Sequence, residues 1–199
     1  MIKVDKYNFS FTASSLRLNE MILVAKNMLN HSQSDLVNEL GGGKSATGKR
    51  MLKEFQKRVS KLTKKELQLL VDGDYSTQKQ LAFLSVCKTQ RFIRDFVVEV
   101  LREKLLVFDY QITEGDYISF YRRKAELYPD MEKLSEITVS KIKQVTFKIL
   151  EQAGIIDDIK TKTIQPQLLE TNVINTIASD NKEWLKVFFM SDMDIENIN

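Results

Sequence analysis

The sequence predicts an all-α protein: a compact helical globule with two helix-turn-helix-like units and a small β-hairpin wing near residues 155–165. Three observations lead there. Apolar residues recur at spacings of three and four along most of the chain, the breaks between those runs carry helix-capping residues, and only 2 prolines and 7 glycines interrupt 199 residues. With 43% apolar and 29% charged residues, the chain suits one globular domain or two small packed subdomains.

At the start, Tyr7, Phe9 and Phe11 alternate with polar residues and predict a strap or edge strand lying across the helices. Ser14 or Ser15 then caps a helix with Leu18, Met21, Ile22, Ala25 and Leu29 on its apolar face, ended by NHSQSD. A short helix from about Gln33 to Leu40 leads into Gly41–Gly43, which supplies a sharp reversal, and Lys44 or Ser45 opens a basic helix running to about Leu62. Thr63 with Glu66 matches a capping box for a short helix through LQLLV, which DGD ends, and Ser76 starts the next. From Leu81 to Phe108 the chain is apolar nearly all round, with a break near Lys88–Gln90, and should form the central buried element. Within it Arg91 pairs with Asp95, and Glu99 with Arg102, by helical spacing.

Thr113 caps a helix through DYISFYRRKAEL that Pro129 stops. A longer helix follows from about Thr138 to Ala153, with Gly154 as its stop. Ile155 and Ile156 then pair with a segment ending in Ile164 to form the wing, Pro166 opens a helix through LLETNVINTIA, and Asp180 with Glu183 caps NKEWLKV. SDMDIENIN reads as a weakly structured acidic tail. The divisions expected are an N-terminal helix-turn-helix subdomain over 1–75, the central helix with a winged-helix-like subdomain over 76–189, and the tail over 190–199. No run approaches the roughly 20 apolar residues that cross a bilayer, and MIKVDKYNFSF does not read as a signal peptide, so a cytoplasmic, monomeric protein is expected.

Residue usage narrows the chemistry. A single cysteine, Cys87, and a single histidine, His31, cannot build a closed zinc site or an internal disulfide, and triad chemistry would have to run through His31 alone. His31 reads as a helix-end residue, Cys87 as a small core residue and Trp184 as packing. Neither an enzyme nor a cofactor is expected. Gly43 to Lys49 fills the first seven positions of a phosphate-binding loop, but Arg50 stands where the magnesium-binding hydroxyl belongs, and SDLVNELGG is no buried strand. A glycine turn before a helix fits better.

Charge is the informative feature. The net value of +3 hides a run of +8 in the 22 residues from Lys44 to Lys65, where Glu54 is the only acid; from Gly154 onward the balance is −4. On a helical wheel Leu52, Phe55, Val59 and Leu62 gather on one side, and Arg50, Lys53, Lys57 and Lys61 form a stripe on the other. Cationic stripes neutralise phosphates and release condensed counterions, and a helix behind a tight turn can enter a major groove. The DNA-binding residues expected here are Lys44, Lys49, Arg50, Lys53, Lys57, Arg58 and Lys61. A solvated lysine-rich face is the plain alternative.

The stretch from Tyr117 to Gly154 has the order of a winged helix-turn-helix. Thr138, Ser140, Lys141, Lys143, Gln144 and Lys148 lie off its buried face, and Arg122, Arg123 and Lys124 extend the surface from the preceding helix. An ordinary helical hairpin with a solvated basic turn is the competing reading.

Four segments carry a family resemblance: KYNFSFTASSL at 6–16, SATGKRMLKEFQKRVSKLT, LAFLSVCKTQRFIRDFVVEVLREKLL at 81–106, and SEITVSKIKQVTFKILEQAGII at 135–156. Together they make the chain resemble the BrxA family of bacteriophage exclusion (BREX) defence systems over nearly its full length. The resemblance implies a helical protein with helix-turn-helix elements that binds double-stranded DNA and works beside a methyltransferase, a phosphatase-like protein and an ATPase. Gly41–Gly43 with Gly48 departs from the family, whose members carry fewer glycines there. Rival expectations are a protein-interaction adaptor and an RNA-binding helical protein.

Overall fold

A computed structural model describes residues 6–30 and 35–198; His31 and the expected helix start at Gln33 lie outside the described residues. The described residues are mostly helical. The helices are α1 (Leu18–Asn30), α2 (Leu36–Gly41), α3 (Ser45–Val59), α4 (Lys64–Asp72), α5 (Tyr75–Thr89), α6 (Arg91–Phe96), α7 (Glu103–Leu106), α8 (Glu114–Leu127), α9 (Glu136–Ala153), α10 (Thr171–Asn181) and α11 (Asp192–Glu196). A π-helical segment, Val97–Arg102, joins α6 to α7.

The core is continuous. Helix α5 touches α1, α3, α4, α6 and α9, and nearly all of Leu81–Cys87 is fully buried, as an all-round apolar sequence requires. The chain breaks at Gln90, and α6 then inserts Phe92 and Phe96 into an aromatic cluster with Tyr117, Phe120 and Phe147. The N-terminal segment is a strap and not an edge strand. Tyr7 and Phe9 pack edge-on against Phe92 at 5.5 and 5.4 Å, Phe11 is fully buried, and the Tyr7 hydroxyl donates to Asp95 at 2.7 Å.

Capping chemistry sets most of the boundaries. Both halves of the capping box form between Thr63 and Glu66 at the start of α4, and again between Thr113 and Asp116 at the start of α8. Ser135 caps α9, and Gly154 ends it at φ +75°, a conformation that costs glycine little.

Several expectations are corrected. Neither Ser14 nor Ser15 caps α1: the helix starts at Leu18 after Arg17 at φ +49°, and the Gln152 side chain of α9 takes the Leu16 N–H at 2.8 Å. Asp74, not Ser76, caps α5. The basic helix stops at Val59, short of Leu62. The residues after Pro166 stay extended, held by Gln80 donating to the Leu168 carbonyl at 2.9 Å and Gln167 to that of Gly154 at 2.8 Å, so α10 begins only at Thr171. Asp180 serves Lys88 at 2.8 Å, leaving Asn181 to cap the 3-10 turn Lys182–Phe188. Glu99 does not pair with Arg102. The π-helical winding turns Glu99 toward Arg123 and Lys124 on α8, and Arg102 reaches Asp192 at 3.0 Å and the Met190 carbonyl at 2.9 Å. That contact docks the acidic tail: Ser191 caps α11, and Ile195 is buried. Val107 and Phe108, expected to be buried, are 72% and 81% exposed.

The wing is small. Ile156 bridges Ile164 in antiparallel fashion, and Gln111 bridges Thr163, bringing a third segment beside the pair.

Candidate nucleic-acid interface

The first site is built on the crossing of α2 and α3. Asp35 caps α2, and the chain reverses through Gly42 and Gly43 at φ +53° and +82°, values that glycine adopts without strain. The two helices then approach so closely that a Cβ on Gly48 would lie 1.9 Å from the Val37 carbonyl oxygen. Gly48 is therefore a packing residue. The segment before it is the helix α2, so the glycine pattern here shapes a tight turn between two closely crossing helices instead of a phosphate-binding loop fed by a strand.

On α3, Gly48, Met51, Glu54, Phe55, Arg58 and Val59 face inward. Lys44, Lys49, Arg50, Lys53 and Lys61 are exposed, and Lys57 is half-buried. Lys64 and Lys65 at the start of α4 are exposed too and continue the stripe. Among the described residues no carboxylate lies within ion-pair distance of any of these eight cations; the Lys57 ammonium instead donates to the Ser10 hydroxyl at 3.0 Å.

Arg58 is the exception, and the expectation for it is corrected. Its side chain is fully buried, bonded to Glu54 at 3.0 Å and to the carbonyls of Ser15 and Ser14 at 2.8 and 2.7 Å. Desolvation pushes its pKa down and the Glu54 carboxylate pulls it back in part, but a guanidinium stays cationic in either direction. No phosphate can reach it. The signal was present in the sequence: Glu54, the one acid of the run, stands four residues before Arg58, on the side of Phe55.

The second site is differently balanced. Ser140, Lys141 and Gln144 are exposed on α9, where Lys141 donates to Gln144 at 3.0 Å, and Thr138 is half-buried against Ser135. Lys143 is paired with Glu114 and Lys148 with Glu151. On α8, Arg122 is exposed, Arg123 pairs with Glu99 at 3.1 Å, and Lys124 is buried against Glu99 and Asp95. The structure gathers these residues on two packed helices beside the wing, but it answers most of their charge with carboxylates from neighbouring turns.

Other candidate chemistry is closed off. Cys87 is completely buried, and burial pushes its thiol pKa far up. Among the described residues there is no group of three or more His, Cys, Asp or Glu side chains placed to hold a metal ion, and no helix long and apolar enough to cross a membrane.

Comparison with known proteins fits this architecture. Residues 5–181 match the family model BrxA. A BREX protein BrxA of Bacillus cereus (strain H3081.97) is 29% identical over 108 residues, 54% of each chain, and one of Escherichia coli O9:H4 (strain HS) is 23% identical over 128 residues, 64% of this chain and 60% of the relative. The matched segments thus span little more than half the length of these two relatives. The fold is shared with the crystal structure of an uncharacterized protein from Magnetospirillum magneticum, at a TM-score of 0.79 and 19% identity, covering 94% of this chain and 99% of that one. The family model covers most of the sequence, and the chain belongs to the BrxA family.

Proposed function

We propose that the protein is a non-enzymatic, double-stranded DNA-binding component of a BREX phage-defence system, acting beside the methyltransferase, phosphatase-like protein and ATPase of such a system. The observation that carries the DNA reading is the stripe from Lys44 to Lys65: eight cations on two consecutive helices and the residues flanking the first of them, with no carboxylate partner among the described residues. Surface cations held for stability or solubility are ordinarily interspersed with acids; a one-sign field suits a polyanion. Its contacts are mainly to phosphates, so affinity falls steeply with salt and depends little on sequence.

The test is duplex binding across a salt series. Changing Arg50, Lys53 and Lys57 together to Ala lowers the slope of log affinity against log salt by about three, on about 0.9 per phosphate contact. Changing Lys141, Lys143 and Lys148 lowers it by less, because Lys143 and Lys148 already answer carboxylates. An unchanged slope in the first variant removes α3 from the interface, and stronger competition by structured RNA than by duplex at matched salt replaces DNA with RNA as the ligand.

A second reading, contact with another protein of the system, has its own observation. Val107 and Phe108 stand exposed at the end of the central helix, Phe108 at φ +61°, an unusual conformation for a bulky residue. Partner capture that survives loss of the α3 cations but not Phe108→Ser would favour that role.

A further inference from the structure

The stripe on α3 is not flat. Between the strap and α3 lies a cleft of about 370 Å³, walled by Asn8 and Ser10 on one side and by Arg50, Lys53, Glu54 and Lys57 on the other. Glu54 is buried, and its carboxylate is already engaged by Arg58 at 3.0 Å and by Gln90 at 2.9 Å. Arg50, Lys53 and Lys57 therefore face the cleft with no uncompensated anion among the described residues.

The hydroxyl of Ser10 adds a second constraint. Its oxygen accepts from Lys57 Nζ at 3.0 Å and from Gln90 Nε2 at 3.2 Å. A serine hydroxyl has two acceptor lone pairs and one proton to give. Both lone pairs are taken by nitrogens that cannot accept, so the proton of this exposed hydroxyl is left to point into the solvent-filled cleft. The arrangement is anchored: Gln90 is fully buried, the Ser10 N–H is held by Asn8 Oδ1 at 2.8 Å, and the neighbouring Phe9 is packed on Phe92. A hydroxyl proton free to exchange water for another acceptor, beside ammonium and guanidinium donors that have no carboxylate partner among the described residues, is complemented by a compact group that only accepts and carries negative charge.

We propose that this cleft seats one phosphate group, with the Ser10 hydroxyl donating to a phosphate oxygen and Arg50, Lys53 and Lys57 neutralising it. The strap thereby becomes part of the binding surface. Where the phosphate belongs to a duplex backbone, the proposal rests on the DNA reading of α3; a free phosphate or phosphate monoester offers the same chemistry.

Two arms separate these sources. In the first, inorganic phosphate is titrated into the full chain and followed by amide NMR, with chloride at matched ionic strength as the control. The amides of Ser10 and of residues 50–57 shift saturably with phosphate only, and Ser10→Ala abolishes the saturation while Ser10→Thr, which restores the hydroxyl, keeps it. In the second, duplex affinity is measured at fixed salt and across a salt series. Ser10→Ala weakens it about tenfold, the worth of one charge-assisted hydrogen bond, and leaves the salt slope unchanged because no charge is removed. Saturable phosphate binding that depends on Ser10, without any change in duplex affinity, supports the seat and assigns it to a free phosphate. Shifts no larger than those with chloride, or phosphate binding undiminished in Ser10→Ala, overturn the seat and leave the DNA reading of α3 standing or falling on its own salt slope.

Discussion

Replacing Arg58 by Ala separates a cation of the interior from a cation of the surface. The guanidinium makes three polar contacts, to Glu54 and to the carbonyls of Ser14 and Ser15, and lies 5.5 Å from the Phe55 ring centre. Its removal leaves a buried carboxylate with Gln90 as its remaining donor and strips two carbonyls of their partner. Breaking one side of a buried ion pair costs about 3–5 kcal/mol, a large share of the roughly 5–15 kcal/mol that holds a domain folded. For a chain of this size that is a fall in Tm of about 6–20 °C, at about 2–4 °C per kcal/mol. Circular dichroism on heating measures it. Duplex binding, measured where the variant is still folded, keeps the wild-type salt slope. The double variant Glu54→Gln/Arg58→Met recovers part of the loss because no unpaired charge remains inside. A Tm within about 2 °C of wild type, together with a salt slope lowered by about 0.9, would refute the reasoning and return Arg58 to the phosphate-contacting face.

Gly48→Ala gains about 1 kcal/mol of helix propensity yet destabilises the protein overall, because the added carbon lands 1.9 Å from the Val37 carbonyl oxygen and must push α2 away at a cost of about 1–3 kcal/mol. Gly115→Ala, whose Cβ would stand 3.6 Å from Thr113 Oγ1, is the tolerated control, and thermal melts that ranked the two the other way would contradict the close crossing. In the wing, partial desolvation raises the Asp157 pKa, but hydrogen bonds from Thr161, Asp158 and Thr163 outweigh it and hold the group at about 2, below its ordinary 3.8. A depressed carboxylate stabilises fully above its unfolded value and loses that contribution as pH falls through the folded one. The Thr163 amide, donating to Asp157 at 2.8 Å, should stay protected from exchange down to pH 3.8 and open toward pH 2, whereas Asp157→Asn removes the pH dependence; protection unchanged to pH 2 in wild type would count against the contact.

Elements whose ends are set by local chemistry were legible from the sequence. The box at Thr63, the cap at Thr113, the stop at Gly154 and the break before Arg91 lie close to where spacing and capping put them, because each depends on residues within one turn. Ends set by distant partners were not. Gln152 reaches Leu16 across 136 positions, Gln80 holds Leu168 across 88, and Arg102 docks the tail through Met190; none leaves a periodic trace. The Glu99–Arg102 pairing failed for a different reason. It assumed α-helical winding, and the π-helical segment redirects both side chains.

The same distinction explains the two candidate surfaces. Counting charge along the chain works where a run has no acids of its own and its neighbours supply none, which is the case from Lys44 to Lys65 once Glu54 and Arg58 are removed together as a buried pair. It fails for Arg123, Lys143 and Lys148, whose carboxylates come from the π-helical segment, from the first turn of α8 and from the following turn of α9. Charge that is free in sequence is free in space only if the packed neighbours are not acidic. An exposed ion pair is worth little, about 0–1 kcal/mol, so a polyanion could still compete for Lys143 or Lys148, but each such contact must first displace a carboxylate. The α3 cations carry no such cost among the described residues. On that ground the N-terminal stripe should dominate the affinity, with the α8–α9 face and its wing adding orientation more than strength.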